Sequence, residues 1–302
     1  MIAKRQKQGM SVSFYTRLGF FCRMLLQRAR NQARTCPYCS SRNLYLIGRK
    51  KVVMDVLQCA ECHLIFRYPL DDIRASWRYY QKSYKSGFVT SIPEAVLDSY
   101  LEKNFAGSPL DVSSKINVLR AVCPQGRVID YGCSWGYTVW QLQKAGYEAV
   151  GFEISKPRAE FGRRRLGVPI LDDFRALRSP ELRGAFDVIF TNHVVEHLTD
   201  IRNTFDLFAE LLRPGGCVFH ILPNFEGRTA RTGAFWHWIG RDHPIAPTAE
   251  FFRRALPRHG MGKIVVGSGP FDEQLAFLVG NSMWDRLPQD GDELLVIAWK
   301  EG

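Results

Sequence analysis

The chain has 302 residues, of which 46% are hydrophobic and 24% are charged. This composition excludes disordered and fibrous proteins and allows one full-size domain with a smaller one. No apolar run is long enough to cross a bilayer, and no signal peptide is evident, so we expect a cytoplasmic protein. The net charge of +11 would suit a nucleic-acid partner, but most of it lies in one short segment.

That segment is residues 1–35, which carry eight lysines and arginines and no acid. The other 267 residues therefore hold a net charge of only +3, which disfavours nucleic acid as a partner. Four apolar residues of the segment recur at helical spacing and can share one face: Phe14, Leu18, Phe21 and Leu25. A basic amphipathic helix can lie on an anionic membrane, so we predict peripheral membrane contact through residues 11–30. A helix packed on the rest of the protein, or a partly disordered extension, is the alternative.

Four cysteines mark the next unit, at residues 36–70. They form two Cys-x2-Cys pairs, Cys36 with Cys39 and Cys59 with Cys62, separated by 19 residues. Two such knuckles bring four thiolates to one tetrahedral zinc ion. Two disulfides, which a reducing compartment disfavours, or a chance pairing are the alternatives.

The predicted Zn²⁺ is structural, because four sulfur ligands close its coordination sphere. His63 adjoins the second pair and is interpreted as a bystander. Strands are predicted at 51–57 and 64–67. Beyond this ribbon, residues 71–114 are predicted to be a helical linker or cap, with two helices across residues 94–122.

The sequence RVIDYGCSWG, which begins at Arg127, is the most informative part of the chain. An apolar run ends in Asp130, a turn contains Gly132 and Gly136, and a helix-like stretch follows. A second apolar run ends in Glu153, 23 residues after Asp130. Such a strand, glycine turn, helix and second strand seat a nucleoside-bearing cofactor at the carboxyl ends of parallel strands.

The residue types in this unit indicate which cofactor it binds. Gly132 lets the backbone approach a ligand closely, the first amides of the helix offer unpaired donors, and Glu153 can accept both ribose hydroxyls. A dinucleotide site would need G-x-G-x-x-G, whereas only D-x-G-x-x-x-G is present. The pattern resembles motif I of the class I S-adenosylmethionine-dependent methyltransferases. A tight turn in another doubly wound protein is the alternative.

Other motifs of that family follow in order. The family's Phe-Asp-Val-Ile strand and Arg-Pro-Gly-Gly turn both have counterparts here. Strands three to seven are predicted at 168–171, 185–190, 217–222, 263–266 and 294–299. The resemblance covers about residues 115–302, the predicted methyltransferase domain, and implies an α/β, Rossmann-like, seven-stranded fold that binds S-adenosyl-L-methionine.

The resemblance also implies a set of cofactor-binding residues. Asp173 is expected to hold the adenine amino group, and Phe174 to flank the ring. The predicted set is Asp130, Gly132, Ser134, Gly136, Glu153, Asp173, Phe174 and Asn192.

Three residues after the fourth strand are candidates for a general base: His193, Glu196 and His197. They would share one helical face if a helix begins there, and a base matters only where the acceptor loses a proton, as a hydroxyl does. A structural Glu-His pair is the alternative. Relatives that methylate polyprenyl-linked phenols carry Glu-x-x-Glu-His here and bind a divalent ion, a role that His193 puts in doubt. His-x-x-Glu-His also matches a zinc-peptidase signature, which belongs on a long helix.

The segment 226–248 is long for a connection, and long loops are often lids. It is rich in aromatic and basic residues: Phe235, Trp236, His237, Trp238, Arg241 and His243. We predict a lid over the acceptor, with His243 near the acceptor pocket; aromatics that merely anchor the loop are the alternative.

The predicted function is methyl transfer from S-adenosylmethionine to a small molecule. A zinc ribbon ahead of such a domain resembles a group of bacterial small-molecule methyltransferases, several of which act on sugars or natural-product intermediates. A hydroxyl of a saccharide or related biosynthetic intermediate is therefore the favoured acceptor. An RNA or protein methyltransferase and a non-catalytic, cofactor-binding scaffold are the alternatives. The oligomeric state is not fixed by the sequence.

Overall fold

The computed structural model describes residues 19, 20, 22, 24–29, 34–71, 92 and 94–302. Most of the predicted amphipathic segment 11–30, together with residues 72–91 and 93 of the predicted helical linker or cap, lies outside these ranges. None of the described helices is long and apolar enough to cross a membrane.

Eleven strands are found in the described residues. They are β1 (Leu44–Lys50), β2 (Met54–Cys59), β3 (Ile65–Tyr68), β4 (Arg127–Tyr131), β5 (Glu148–Phe152), β6 (Ile170–Leu171), β7 (Phe186–Asn192), β8 (Leu212–Pro223), β9 (Ile245–Ala246), β10 (Met261–Ser268) and β11 (Glu293–Lys300).

Nine α-helices lie within residues 94–302. They are α1 (Glu94–Glu102), α2 (Ser113–Val122), α3 (Tyr137–Lys144), α4 (Lys156–Phe161), α5 (Phe174–Leu177), α6 (Ile201–Leu211), α7 (Phe235–Trp238), α8 (Ala249–Ala255) and α9 (Glu273–Gly280). Short 3₁₀ or π turns lie at Gly162–Leu166, Pro180–Leu182, Val195–His197, Ala230–Ala234, Leu256–His259 and Trp284–Arg286.

Seven strands form one sheet in the order β10-β11-β8-β7-β4-β5-β6. The pairs among β8, β7, β4, β5 and β6 are parallel, whereas β11 runs antiparallel to both β8 and β10. Apolar residues of β4, β7 and β8 are fully buried, as expected for parallel strands covered on both faces. The predicted class I methyltransferase fold and its antiparallel closing pair are confirmed.

A second sheet, of order β1-β2-β3-β9, contains the cysteine knuckles. The prediction missed β1 and began the following strand too early. Lys51 and Val52 adopt positive φ values of 51° and 63°, so they form the hairpin turn and not a strand. The fourth strand, β9, comes from the later domain and pairs antiparallel with β3.

The ribbon shares a hydrophobic core with the seven-stranded domain. Tyr38, between the first two cysteines, is buried and donates a hydrogen bond from its hydroxyl to the carbonyl of Ala255 at 2.9 Å. Its ring packs edge-on against Phe251 of α8, with the centroids 5.2 Å apart. The division into four domains stays a prediction, and the shared core shows how closely two of them are joined.

Part of the basic tail packs on the ribbon. Met24 is fully buried, and the fully buried Asp55 of β2 forms ion pairs with Arg28, Arg34 and Arg49 at 2.7–3.4 Å. A buried carboxylate needs such partners, since an unpaired charge inside a protein is costly. These contacts favour the packed-helix alternative for residues 24–29, while membrane contact through residues 11–30 stays a prediction.

Candidate functional site

The site lies where the order of the parallel strands reverses, between β4 and β7. In open α/β sheets this switch point opens a crevice at the carboxyl ends of the strands. Asp130 lies near the end of β4 and Asn192 ends β7. The two predicted cofactor-binding residues are therefore brought to neighbouring strands.

The turn after β4 requires glycine at its start. Gly132 has φ of 85°, and a Cβ there would lie 2.6 Å from a methyl carbon of Val194. Any side chain would thus meet both backbone strain and a clash. Gly136, with φ of 88°, begins α3, and Ser134 between them also has a positive φ of 53°. The turn is shaped to place backbone beside a ligand.

Two buried carboxylates face this turn. One oxygen of Glu153 accepts the amide of Ser134 at 3.0 Å, and the other accepts the amide of Ser155 at 2.7 Å. Burial raises the pKa of Glu153, against the opposing effect of these amides and of Arg158. Burial and the nearby Glu153 raise the pKa of Asp130 to about 8. The Oδ2 atom of Asp130 is buried with no hydrogen-bond partner among the described residues.

Two adjoining cavities make up the cleft, and both are lined by Gly132, Ser134, His193 and His197. The smaller, of about 120 Å³, also includes Glu153 and Phe174. The larger, of about 500 Å³, includes Asp130, Asn192, Lys115 and Glu293. A cleft with carboxylates at one side and an aromatic ring at the other suits a cationic nucleoside.

The residues after β7 do not form the α-helix that the spacing suggested. His193 has a positive φ of 55°, and only a 3₁₀ turn, Val195–His197, follows. His193 still lies between two carboxylates, since its Nδ1 is 3.3 Å from Glu196 and its Nε2 is 2.7 Å from Glu293. Its partial burial would lower the pKa of His193, but these two contacts outweigh that effect and raise it to about 9.

His197 is held from the loop before β9. Its Nδ1 donates to the backbone carbonyl of Asp242. A carbonyl only accepts, so Nδ1 carries a proton, and Nε2 is the ring nitrogen that could accept one. The ring of His243 packs against it, with the centroids 4.8 Å apart. Burial and the nearby His197 lower the pKa of His243 to about 4, so His243 is neutral at pH 7.

Glu196, His197 and His243 could also hold a cation. Glu196 is fully buried, and each residue offers one ligand atom within 4.8 Å of the others. Two imidazoles and a carboxylate are a common ligand set for a divalent metal. His193 is not in this group, and His243 comes from outside the predicted motif.

The four cysteines of the ribbon converge on one point. The Sγ atoms of Cys36 and Cys62 are 3.5 Å apart, as are those of Cys39 and Cys59, and all four lie within 4.8 Å of one another. Tetrahedral zinc with Zn–S bonds of about 2.3 Å places its sulfurs about 3.8 Å apart. The donor set and spacing fit the predicted structural zinc.

The ribbon also holds a loop that contacts the candidate site. Arg67 of β3 is fully buried, and its Nε donates a hydrogen bond to the carbonyl of Gly240 at 2.7 Å. Its backbone amide donates to the carbonyl of Pro244 at 2.9 Å. The loop between these two positions carries Asp242 and His243. The zinc ribbon therefore fixes the loop that holds His197.

A family model described as a methyltransferase domain matches residues 98–262, more than half of the chain. The chain belongs to this methyltransferase family. It is 33% identical over 147 residues to the ubiquinone biosynthesis O-methyltransferase of Rhizobium etli, covering 46% of this chain and 54% of that protein. The Mesorhizobium japonicum protein of the same name is 33% identical over 149 residues, covering 46% and 53%.

The chain thus spans about half the length of the curated relatives it matches. Among solved structures, it is similar to an S-adenosylmethionine-dependent methyltransferase from Archaeoglobus fulgidus. That match has a TM-score of 0.48 and 15% identity, and covers 67% of this chain and 99% of the other. The predicted membership of the methyltransferases is confirmed at the level of the family.

Most of the predicted site residues of this methyltransferase meet at the cleft, and three do not line it. Gly136 shapes the start of α3. Asp173 accepts the amide of Arg175 at 2.9 Å and caps α5. Glu196 is fully buried behind the histidines. The roles of all of these residues stay predictions.

Sequence reasoning missed three residues of the cleft. Arg158, which is almost fully buried, donates to the hydroxyl of Ser134 at 2.7 Å. Lys115 bridges Asn192 at 3.0 Å and Glu293 at 2.7 Å. Lys115 and Glu293 are 178 residues apart in the chain, so no local pattern could pair them.

The aromatic loop residues pack on the ribbon. A Cβ on Gly48 would lie 2.5 Å from the ring of Trp236, which shows how closely that ring covers β1. Phe235 and Trp238 pack on buried residues of β2, β3 and β9. None of these three lines the cleft cavities. These contacts favour the anchoring alternative over a lid.

Proposed function

We propose that this protein transfers the methyl group of S-adenosylmethionine to a hydroxyl oxygen of a small-molecule acceptor. The observation that carries the proposal is that His197 lines the cofactor cleft while the Asp242 carbonyl fixes its Nδ1, which leaves Nε2 to accept a proton. When bound, S-adenosylmethionine supplies a methyl group on a sulfonium, whose displacement leaves a neutral thioether. The relatives' printed name, O-methyltransferase, is consistent with an oxygen acceptor.

The chain's residues have distinct parts in this reaction. Glu153 accepts the ribose hydroxyls, and the buried Asp130 borders the same turn with an Oδ2 atom that has no hydrogen-bond partner among the described residues. His197 takes the acceptor's proton at Nε2 as the oxygen bonds to the methyl carbon, since a hydroxyl is a weak nucleophile. The surrounding walls align the two reactants, which supplies much of the acceleration.

For the acceptor itself, we propose a saccharide or a related biosynthetic intermediate, as the sequence suggests. The relatives act, by their name, in ubiquinone biosynthesis, so a quinone precursor is the alternative outcome. Transfer of labelled methyl groups into fractionated cell extract should give a labelled small molecule that mass spectrometry can identify. Label in RNA or protein, or no label in any fraction, would refute the proposal.

Replacing His197 with glutamine should lower turnover by about 10²–10⁴-fold, because a positioned base contributes that much to proton transfer. Cofactor affinity should stay within about threefold, since the role proposed for Nε2 is to take the acceptor's proton and not to bind the cofactor. Steady-state kinetics and calorimetry measure the two quantities. His63→Asn is the matched control, as asparagine tolerates the positive φ of that position. Unchanged turnover in His197→Gln would make the histidine structural.

A further inference from the structure

A second sizeable pocket lies away from the cofactor cleft, on the far side of the loop that holds His197. It has a volume of about 450 Å³ and lies between the β1–β2 hairpin, α7 with the segment that follows it, and Phe20 of the N-terminal segment. Its lining includes Lys50, Lys51, His237, Arg241 and Asp242, with apolar residues of β2 and the loop before it. None of these residues lines either cavity of the cleft.

The pocket is rich in positive charge. Three permanent cations and one histidine line it against a single carboxylate, Asp242. Neither Lys50 nor Lys51 forms an ion pair within the described ranges, although Lys50 donates to the carbonyl of Ile239 at 2.7 Å. Burial and the neighbouring Lys51 lower the pKa of Lys50. Two lysines that repel each other in one pocket are a favourable place for an anion.

The turn that carries these lysines is strained. Val52 follows Lys51 in the left-handed region, with φ of 63°, which is rare for a β-branched residue. Its side chain is 78% exposed, so no burial of Val52 stabilises this conformation. Backbone strain retained on an exposed turn is characteristic of binding segments. Glycine or asparagine would suit the turn better.

We propose that this pocket binds a phosphate group, carried by a soluble phosphorylated ligand or by a lipid headgroup. Lysine and arginine donate charge-assisted hydrogen bonds to phosphate oxygens, and the volume admits more than one phosphate. Val52 and Trp236 are exposed, and each is adjacent in sequence to a residue that lines the pocket. The apolar part of a lipid would contact the protein at these two side chains. The lysines of this pocket line neither cavity of the cofactor cleft, so the absence of phosphate binding would leave the proposed function standing.

Titration of the full, zinc-loaded protein with inorganic pyrophosphate tests the soluble source. Co-sedimentation with vesicles of phosphatidylcholine containing phosphatidylglycerol, against vesicles of phosphatidylcholine alone, tests the lipid source. Lys51→Gln should weaken whichever ligand binds by about tenfold, since it removes one charge-assisted contact. Lys103→Gln is the control, because Lys103 is exposed and lines none of the three pockets.

Pyrophosphate binding that Lys51→Gln weakens would support a soluble ligand. Vesicle binding that needs phosphatidylglycerol and that Lys51→Gln weakens would support a headgroup. In both cases S-adenosylmethionine affinity should match that of the unmodified protein, which shows that the variant is folded. The proposal is overturned if neither probe binds, or if Lys51→Gln and Lys103→Gln weaken binding equally.

Discussion

Replacing Glu153 with glutamine should weaken S-adenosylmethionine binding by at least about a hundredfold, because hydrogen bonds to a charged group contribute about 1.5–3 kcal/mol each. Both oxygens of Glu153 already accept backbone amides, from Ser134 and Ser155. In glutamine, the side-chain NH2 group would replace one of these oxygens and face a backbone N–H, and two donors cannot form a hydrogen bond with each other. The change therefore removes the acceptor for ribose and disturbs the turn that borders the cofactor.

Isothermal calorimetry with S-adenosylmethionine measures this loss, and circular dichroism checks that the fold survives. Asp172→Asn is the matched control, because Asp172 follows β6, pairs with Arg163 at 2.9 Å and lines neither cavity. Its affinity should be that of the unmodified protein. Near-normal affinity in Glu153→Gln would show that the cofactor does not bind in this cleft and would refute the proposed function.

Loss of zinc from the ribbon should nearly abolish methyl transfer while leaving cofactor affinity within about threefold. Small zinc sites supply about 10–16 kcal/mol of folding free energy, so the ribbon should unfold without the metal. Unfolding of the ribbon would break the pairing of β3 with β9 and the hydrogen bonds from Arg67 to Gly240 and Pro244. The loop between Gly240 and Pro244 would then no longer hold the Asp242 carbonyl against His197. Asp130 and Glu153 belong to the other sheet and should stay in place.

Cys62→Ser tests this expectation, with metal content, turnover and S-adenosylmethionine affinity measured on the same preparation. Cys123→Ser is the control, since Cys123 is half-buried and lies outside the four-cysteine cluster. It should keep stoichiometric zinc and full turnover. A metal-free Cys62→Ser protein with normal turnover would show that the ribbon is not needed for the catalytic loop. Equal loss of cofactor affinity would show that the two sheets are not independent.

The sequence identified those parts of the protein whose geometry is local. The glycine turn from Asp130 to Glu153 depends on φ values and strand ends within one strand–helix–strand unit, so its residues predict its shape. The cysteine knuckles are likewise short turns, and their sulfurs converge as the spacing indicates. The seven-stranded fold was implied by the resemblance of these motifs to the methyltransferase family.

Local prediction was wrong where a turn competes with the expected element. The predicted strand at 51–57 begins in the hairpin turn formed by Lys51 and Val52. The three candidate bases would share a helical face only if a helix began after β7, and the left-handed conformation of His193 leaves a 3₁₀ turn there instead. The local pattern also could not show that Asp173 caps a four-residue helix, and its role at the adenine stays a prediction.

By itself, the sequence determined the family, the cofactor turn and the four-cysteine cluster, because each is encoded in neighbouring residues. Only the tertiary structure decided what surrounds the histidines. Sheet order brings Glu293 from the last strand to His193, and pairing of β9 with the ribbon brings Asp242 and His243 to His197. Such contacts join residues 45 to 100 positions apart, and their distances depend on the packing of the whole chain.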